Sequence, residues 1–226
     1  MEPLLRLLPS PFFLLLAAVP LIAYLGVLAM IRLSGRALVT TAGRDAVALA
    51  LAISGLVVIG PVELFFPAAA ATVFGPRIWL WLAAFYVLCV SLLAITLRPR
   101  LVIYGRSAAE VFPALVRTAT RMDPRATADP DRLTVTLPHA RVQLRVDGHP
   151  GADHAEVIAF ERALPPGFWS LLLSGLRSEV AAAPRQGPRH GLVMLVVALS
   201  LAAFVLWRGI DQQALVVEEF RQWLWR

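Results

Sequence analysis

The sequence predicts a membrane-spanning all-α bundle of four transmembrane helices, with a small α+β domain of β-α-β-β-β-α order inserted between helices 3 and 4. Three observations predict it. The chain has 226 residues, of which 58% are hydrophobic, and a mean hydropathy of +0.71, so too few polar residues remain to coat a soluble core of that size. Four apolar windows, 12–33, 45–66, 78–97 and 191–207, carry no charge at their centres. Each is long enough for a helix to cross a hydrocarbon layer about 30 Å thick, the last only just. Between the third and fourth windows the composition changes, with charges frequent and apolar runs short.

The first window reads as an anchor rather than a cleaved leader, because it lacks a basic preceding region and a small-residue cleavage site. Pro20 in the first window, and Gly60 with Pro61 in the second, are expected to kink or interrupt those helices. Ser54 and Gly55 would let a second helix approach closely. Trp79, Trp81, Tyr86 and Trp207 suit interfacial or lipid-facing positions. Cys89 is the only cysteine and lies within the third window, so no intrachain disulfide is possible. Beyond 207 a tail, 208–226, carries Val216, Val217, Phe220, Trp223 and Leu224 on one helical face. It reads as an amphipathic interfacial helix, and a partner helix could use the same stripe.

All 21 basic residues are Arg, and their placement predicts orientation. Arg32, Arg36 and Arg44 fill the first connection, whereas Arg77 stands alone in the second. Arg98, Arg100 and Arg106 follow the third window, and Arg177, Arg185 and Arg189 precede the fourth. Cationic loops stay cytoplasmic. Both termini are therefore expected outside a bacterial cytoplasmic membrane and the 98–190 domain inside.

That domain should open with a strand at Leu101 to Tyr104. A helix follows, started by Ser107 and Glu110 as a capping box and carrying Pro113. The clearest period-two pattern comes next: Leu133, Val135 and Leu137 alternate with threonines, and Val142, Leu144 and Val146 alternate with Arg141, Gln143 and Arg145. Such alternation marks a hairpin with one apolar and one polar face. A loop over 147–153, a strand over 156–160 and a helix from Pro166 to about Val180 complete the domain. With both helices on the apolar face, Thr134, Thr136, Arg141, Gln143 and Arg145 form the candidate interaction face.

The chemistry-bearing motifs are absent. There is no P-loop, dinucleotide glycine pattern, G-x-S-x-G or H-E-x-x-H. His149 and His154, beside Asp147 and Asp153, match no zinc spacing and read as turn residues. No catalytic, cofactor-binding or metal site is expected, and no cofactor. The domain holds 13 Arg against 9 acidic residues between 98 and 189, and its polar face shows no stacking aromatic, which argues against nucleic acid. The expected partners are the lipid bilayer and a protein bound through the cytoplasmic domain; oligomeric state is left open.

Three segments carry a resemblance. Leu38-Val-Thr-Thr-Ala-Gly-Arg-Asp45, Gly60-Pro-Val-Glu-Leu-Phe-Phe-Pro67 and Leu97-Arg-Pro-Arg-Leu-Val-Ile-Tyr104 resemble those of uncharacterised multi-pass membrane proteins of planctomycete-type bacteria. The resemblance implies no activity and points to Arg44, Asp45 and Glu63 as polar positions of interest. The sequence as a whole reads as a non-enzymatic membrane scaffold or adaptor whose cytoplasmic domain binds a protein partner or the membrane surface. The alternative is a transport component or membrane-embedded enzyme with a site near Glu63, an ionisable residue at the outer end of the second window.

Overall fold

The computed structural model describes residues 10–62, 77–149, 153–161, 164–182 and 191–224. It is mostly helical, with four long apolar helices and one small antiparallel sheet. The helices α1 (Pro11–Leu33), α2 (Ala42–Val57), α3 (Arg77–Thr96) and α6 (Gly191–Asp211) are apolar and long enough to cross a membrane, α2 when its helical continuation to Gly60 is included. The sheet strands are β1 (Leu38–Thr41), β2 (Arg100–Tyr104), β3 (Thr127–Asp129), β4 (Thr134–Leu137), β5 (Val142–Asp147) and β6 (His154–Ala159). Two further helices, α4 (Ala108–Met122) and α5 (Pro166–Ala182), accompany it, and α7 (Gln213–Leu224) ends the described chain.

The chain divides into two compact units: 1–27, 47–93 and 193–226 form one, and 28–46 with 94–192 the other. Within the first, Gly55 faces the backbone of α1: a Cβ there would stand 1.9 Å from the Leu16 carbonyl oxygen. Removing a side chain at that point is what lets two helical backbones meet. The Tyr86 hydroxyl donates to the Ala50 carbonyl at 2.6 Å, joining α3 to α2 through a bond that hydrocarbon would not disrupt. α1 runs unbroken through Pro20. At Gly60 and Pro61 the α-helix instead widens into a π-helical stretch, Val58–Val62, a known way to accommodate a residue that cannot donate in the ladder.

The second unit contains the six-stranded sheet, in spatial order β1-β2-β6-β5-β4-β3, and every neighbouring pair is antiparallel. This corrects the expected β-α-β-β-β-α order in two places. β1 comes from the first interhelical connection, outside 98–190, and pairs with β2 in the register Val39 to Ile103. β3 is an additional edge strand that the expected order lacks. β6 starts at His154, earlier than the expected 156, and α6 continues to Asp211 beyond the expected Trp207.

One sheet face carries the core. Leu101, Ile103, Val135, Leu137, Leu144 and Val157 join Val111, Leu115, Leu172 and Leu176 of the two helices in one buried cluster. Such a cluster removes large aliphatic side chains almost wholly from water, at roughly 25 cal/mol for each Å² of apolar surface. α4 opens with the Glu110 carboxylate accepting the Ser107 N–H at 3.1 Å. It is tied to α5 by Arg117, whose Nε lies 2.5 Å from Glu179 Oε2, and by Arg121 on the other carboxylate oxygen. The Arg177 guanidinium of α5 donates twice to the Val39 carbonyl, at 3.1 and 3.0 Å. The remote edge strand is thereby anchored to the helical layer.

A recess on the polar face of the sheet

Two hairpins of the same design build the candidate site. Pro130 to Leu133 joins β3 to β4, and Pro138 to Arg141 joins β4 to β5. In each loop proline stands first, where its fixed φ favours a turn. In each, the last residue takes a positive φ, 51° at Leu133 and 52° at Arg141. Its N–H reaches back to the proline carbonyl, at 3.4 and 3.3 Å respectively. Left-handed backbone is uncommon for residues with a Cβ; here the pairing on both sides of each loop holds it. The Leu133 carbonyl, turned by that geometry, accepts the Val146 N–H at 2.9 Å.

Beside the first loop lies an open recess of about 590 Å³ on the polar face. Its lining includes Arg132, Thr134, Gln143, Arg145, Asp147 and Phe160. Strand register brings these residues together. Thr134 opposes Arg145, Thr136 opposes Gln143, and the Phe160 N–H donates to the Gln143 carbonyl at 3.1 Å. The Gln143 N–H is held by both Glu161 oxygens, at 3.0 and 3.1 Å, which extends the ladder past β6. Asp129 Oδ1 accepts the N–H groups of Asp131 and Arg132 at 3.1 and 3.3 Å. Arg132 is four-fifths exposed and stands 3.9 Å from the Asp129 carboxylate, too loose and wet to hold it.

Three of the five expected face residues, Thr134, Gln143 and Arg145, line this recess. Thr134 is itself buried and Arg145 exposed. Thr136 is half-buried next to them in the register. Arg141 is in the second turn rather than on the strand, because the four-residue loop consumes it. The expectation of a face without aromatics is corrected: Phe160 opens into the recess and is 55% exposed, and Tyr104 lies on the same face through its pairing with His154. Arg132 and Phe160 were missed, since both flank their strands and only the tertiary pairing places them. Glu63, the other candidate position, lies outside the described residues.

The half of the face nearer β1 is closed by its own contacts. The Tyr104 hydroxyl donates to Asp45 Oδ1 at 2.7 Å, and its ring lies 5.3 Å from the His154 imidazole. Glu156 pairs with Arg100 at 3.1 Å and stands 3.9 Å from His154 Nε2. His154 is therefore a strand residue among sheet side chains. Asp123, at the end of α4, accepts the His139 N–H at 2.8 Å and the Arg125 N–H at 3.0 Å. These bonds, the one to His139 first, hold its carboxyl below the usual carboxylate range. They also tie the second turn to the helix.

Among the described residues no three His, Cys, Asp or Glu side chains gather as a metal-binding group. Comparison with protein-family models, with curated proteins and with solved structures finds no match to the chain.

Proposed function

We propose that this chain is a four-span integral membrane adaptor whose α+β domain recruits a protein partner through the recess on its polar sheet face. The observation that carries the reading is the composition of that recess. Two Arg, two Asp, Gln143 and a half-exposed Phe160 lie in one concavity. An exposed aromatic with arginine is the mixture that protein interfaces favour. Asp131 and Asp147 offset Arg132 and Arg145, which disfavours a phosphate backbone and suits a partner bearing both charges. The closed half beside β1 leaves the recess as the available part of the face.

The topology that goes with this reading has α1, α2, α3 and α6 in a bacterial cytoplasmic membrane, both ends outside and the domain of 98–190 in the cytoplasm. Two independent features support it. The Arg-rich connections fall on one side under four spans. The pairing of β1 with β2 also requires the first connection and the chain after α3 to share a side, as two crossings between them would place them. Val217 and Phe220, which share one face of α7, are exposed, which supports an interfacial tail.

The test is an affinity capture of the full-length protein from detergent-solubilised membranes, read by mass spectrometry. Wild type is compared with Arg132→Glu/Arg145→Glu and with Phe160→Ala. Deleting 98–190 would strand β1 without its neighbour, so point variants are the cleaner probe. A protein recovered with wild type and lost at least tenfold with the charge reversal, a difference of about 1.4 kcal/mol, is the expected result. An unchanged set of captured proteins sinks the reading.

A further inference from the structure

Where α3 gives way to β2, the second unit has another concavity, of about 250 Å³, with a different character. Its lining is apolar at Ile95, Leu97 and Trp169 and polar at Arg98, Arg100 and Thr41. Arg100 is engaged by Glu156 at 3.1 Å, whereas Arg98 is exposed and makes no ion pair among the described residues. The floor is tight: a Cβ on Gly43 would sit 3.1 Å from the Ala94 carbonyl oxygen, so the start of α2 and the end of α3 pack there without an intervening side chain. The recess thus combines a cation, a hydroxyl and an aliphatic-aromatic wall directly at the end of a 20-residue apolar helix.

We propose that this recess binds the phosphodiester of an anionic phospholipid, with Arg98 as the phosphate partner and Thr41 as a hydrogen-bond donor. The apolar wall then meets the glycerol and the first acyl methylenes. The inference rests on the membrane-spanning reading above, because only a helix end at headgroup depth delivers such a ligand. Arginine engages phosphate through paired N–H groups, and basic pockets beside membrane helices on the cytoplasmic side are sites for anionic headgroups. A tryptophan at the same level fits the interfacial belt. The volume falls below that of pockets for drug-sized molecules, which suits a phosphodiester rather than a bulky head. The amphiphilic lining is what distinguishes it from the recess by Phe160, where carboxylates oppose the arginines.

The experiment is native mass spectrometry of the delipidated full-length protein, titrated separately with dioleoyl phosphatidylglycerol, dioleoyl phosphatidylcholine and inorganic phosphate. One phosphatidylglycerol adduct is expected, bound more tightly than phosphatidylcholine and not displaced by phosphate. Arg98→Gln should weaken it roughly fivefold, the worth of one arginine near a charged surface. Arg98→Gln/Arg100→Gln should weaken it further, while Arg98→Lys keeps most of it. Arg125→Gln, which removes the same charge elsewhere, should leave it unchanged, and far-UV circular dichroism checks that each variant is folded. Equal retention by wild type and Arg98→Gln overturns the proposal, as does equal binding of the two lipids. Displacement by inorganic phosphate assigns the recess to a free anion and overturns the lipid reading. Carbonate extraction of membranes containing the same variants separates the two claims. A chain that washes out defeats the spanning reading itself, whereas one that stays but lacks the adduct defeats only this site.

Discussion

Both compact units are rich in leucine, valine and isoleucine, but they bury opposite kinds of residue. In the α+β unit the fully buried side chains are large: Leu101, Ile103, Leu115, Leu144, Leu172 and Leu176. In the helical unit the buried hydrophobics among the described residues, apart from Phe12 and Val205, are alanines: Ala17, Ala18, Ala50, Ala52 and Ala198. Its large residues face outward, with Leu80 73% and Trp81 70% exposed, and α3 has no buried residue. Water drives big aliphatic groups together; on the membrane-spanning reading proposed above that force is absent around the helical unit, and close backbone packing through small residues takes its place. The same amino acids therefore do different work in the two units, and substitutions should separate them.

The largest expected contrast is between Leu144→Ala and Leu88→Ala. Leu144 has no exposed surface, so truncation leaves a cavity in the sheet–helix layer and should cost about 2–5 kcal/mol. Leu88 is 65% exposed, and its truncation should change stability by no more than about 0.5 kcal/mol. Urea unfolding of both variants in the same detergent checks this. Equal losses would mean that α3 is packed like a soluble core, and the contrast between the units would break.

Next is Gly55→Ala. The added methyl has nowhere to go beside the Leu16 carbonyl, so α1 and α2 must separate, at about 1–3 kcal/mol. Gly60→Ala in the same segment meets nothing within 4 Å and should cost far less. Thermal melts of the two variants, followed by tryptophan fluorescence, should rank them in that order. The reverse ranking would show that small-residue contact does not hold these helices.

Much of this contrast was legible in the sequence, and the exceptions share a cause. Apolar runs long enough to span announce themselves, and so does the alternation over β4 and β5, because each signal is local. Gly55 was readable as a close-approach position for the same reason. β1 was not. Its four residues sit among arginines in a short connection, and its partner β2 lies some 60 positions away. β3 has no apolar alternation; it is a strand only because Thr127, Ala128 and Asp129 pair with β4. Alternation sets Gln143 and Arg145 on one side of β5, and both line the recess there. The loop geometry that withdraws Arg141 and brings Arg132 and Phe160 to the recess depends on a positive φ and on pairing past the strand ends. Period counting cannot register either.

The smallest effect tests the charged seam between α4 and α5, a device the helical unit does not use among its described ion pairs. Arg117 first, with Arg121, holds the Glu179 carboxyl below its ordinary range against a smaller opposing cost of burial. The folded state therefore binds this proton less readily than the unfolded chain. Its contribution is fully present above the unfolded value, near 4.5, and is lost as pH falls through the depressed folded value. Asp123 acts with the same sign from a starting value of 3.8, so a Glu179 variant should not abolish the acid dependence. In Glu179→Gln the melting temperature should be lower than wild type at pH 7, and the two curves should converge as pH drops below about 4. Both arginines are more than half exposed, so solvent weakens the pair and the shift should be smaller than that from Leu144→Ala. A gap between the curves that persists unchanged to pH 3 would place the role of Glu179 in packing against α4, not in its charge. The seam would then work as the rest of this unit does, through close fit rather than electrostatics.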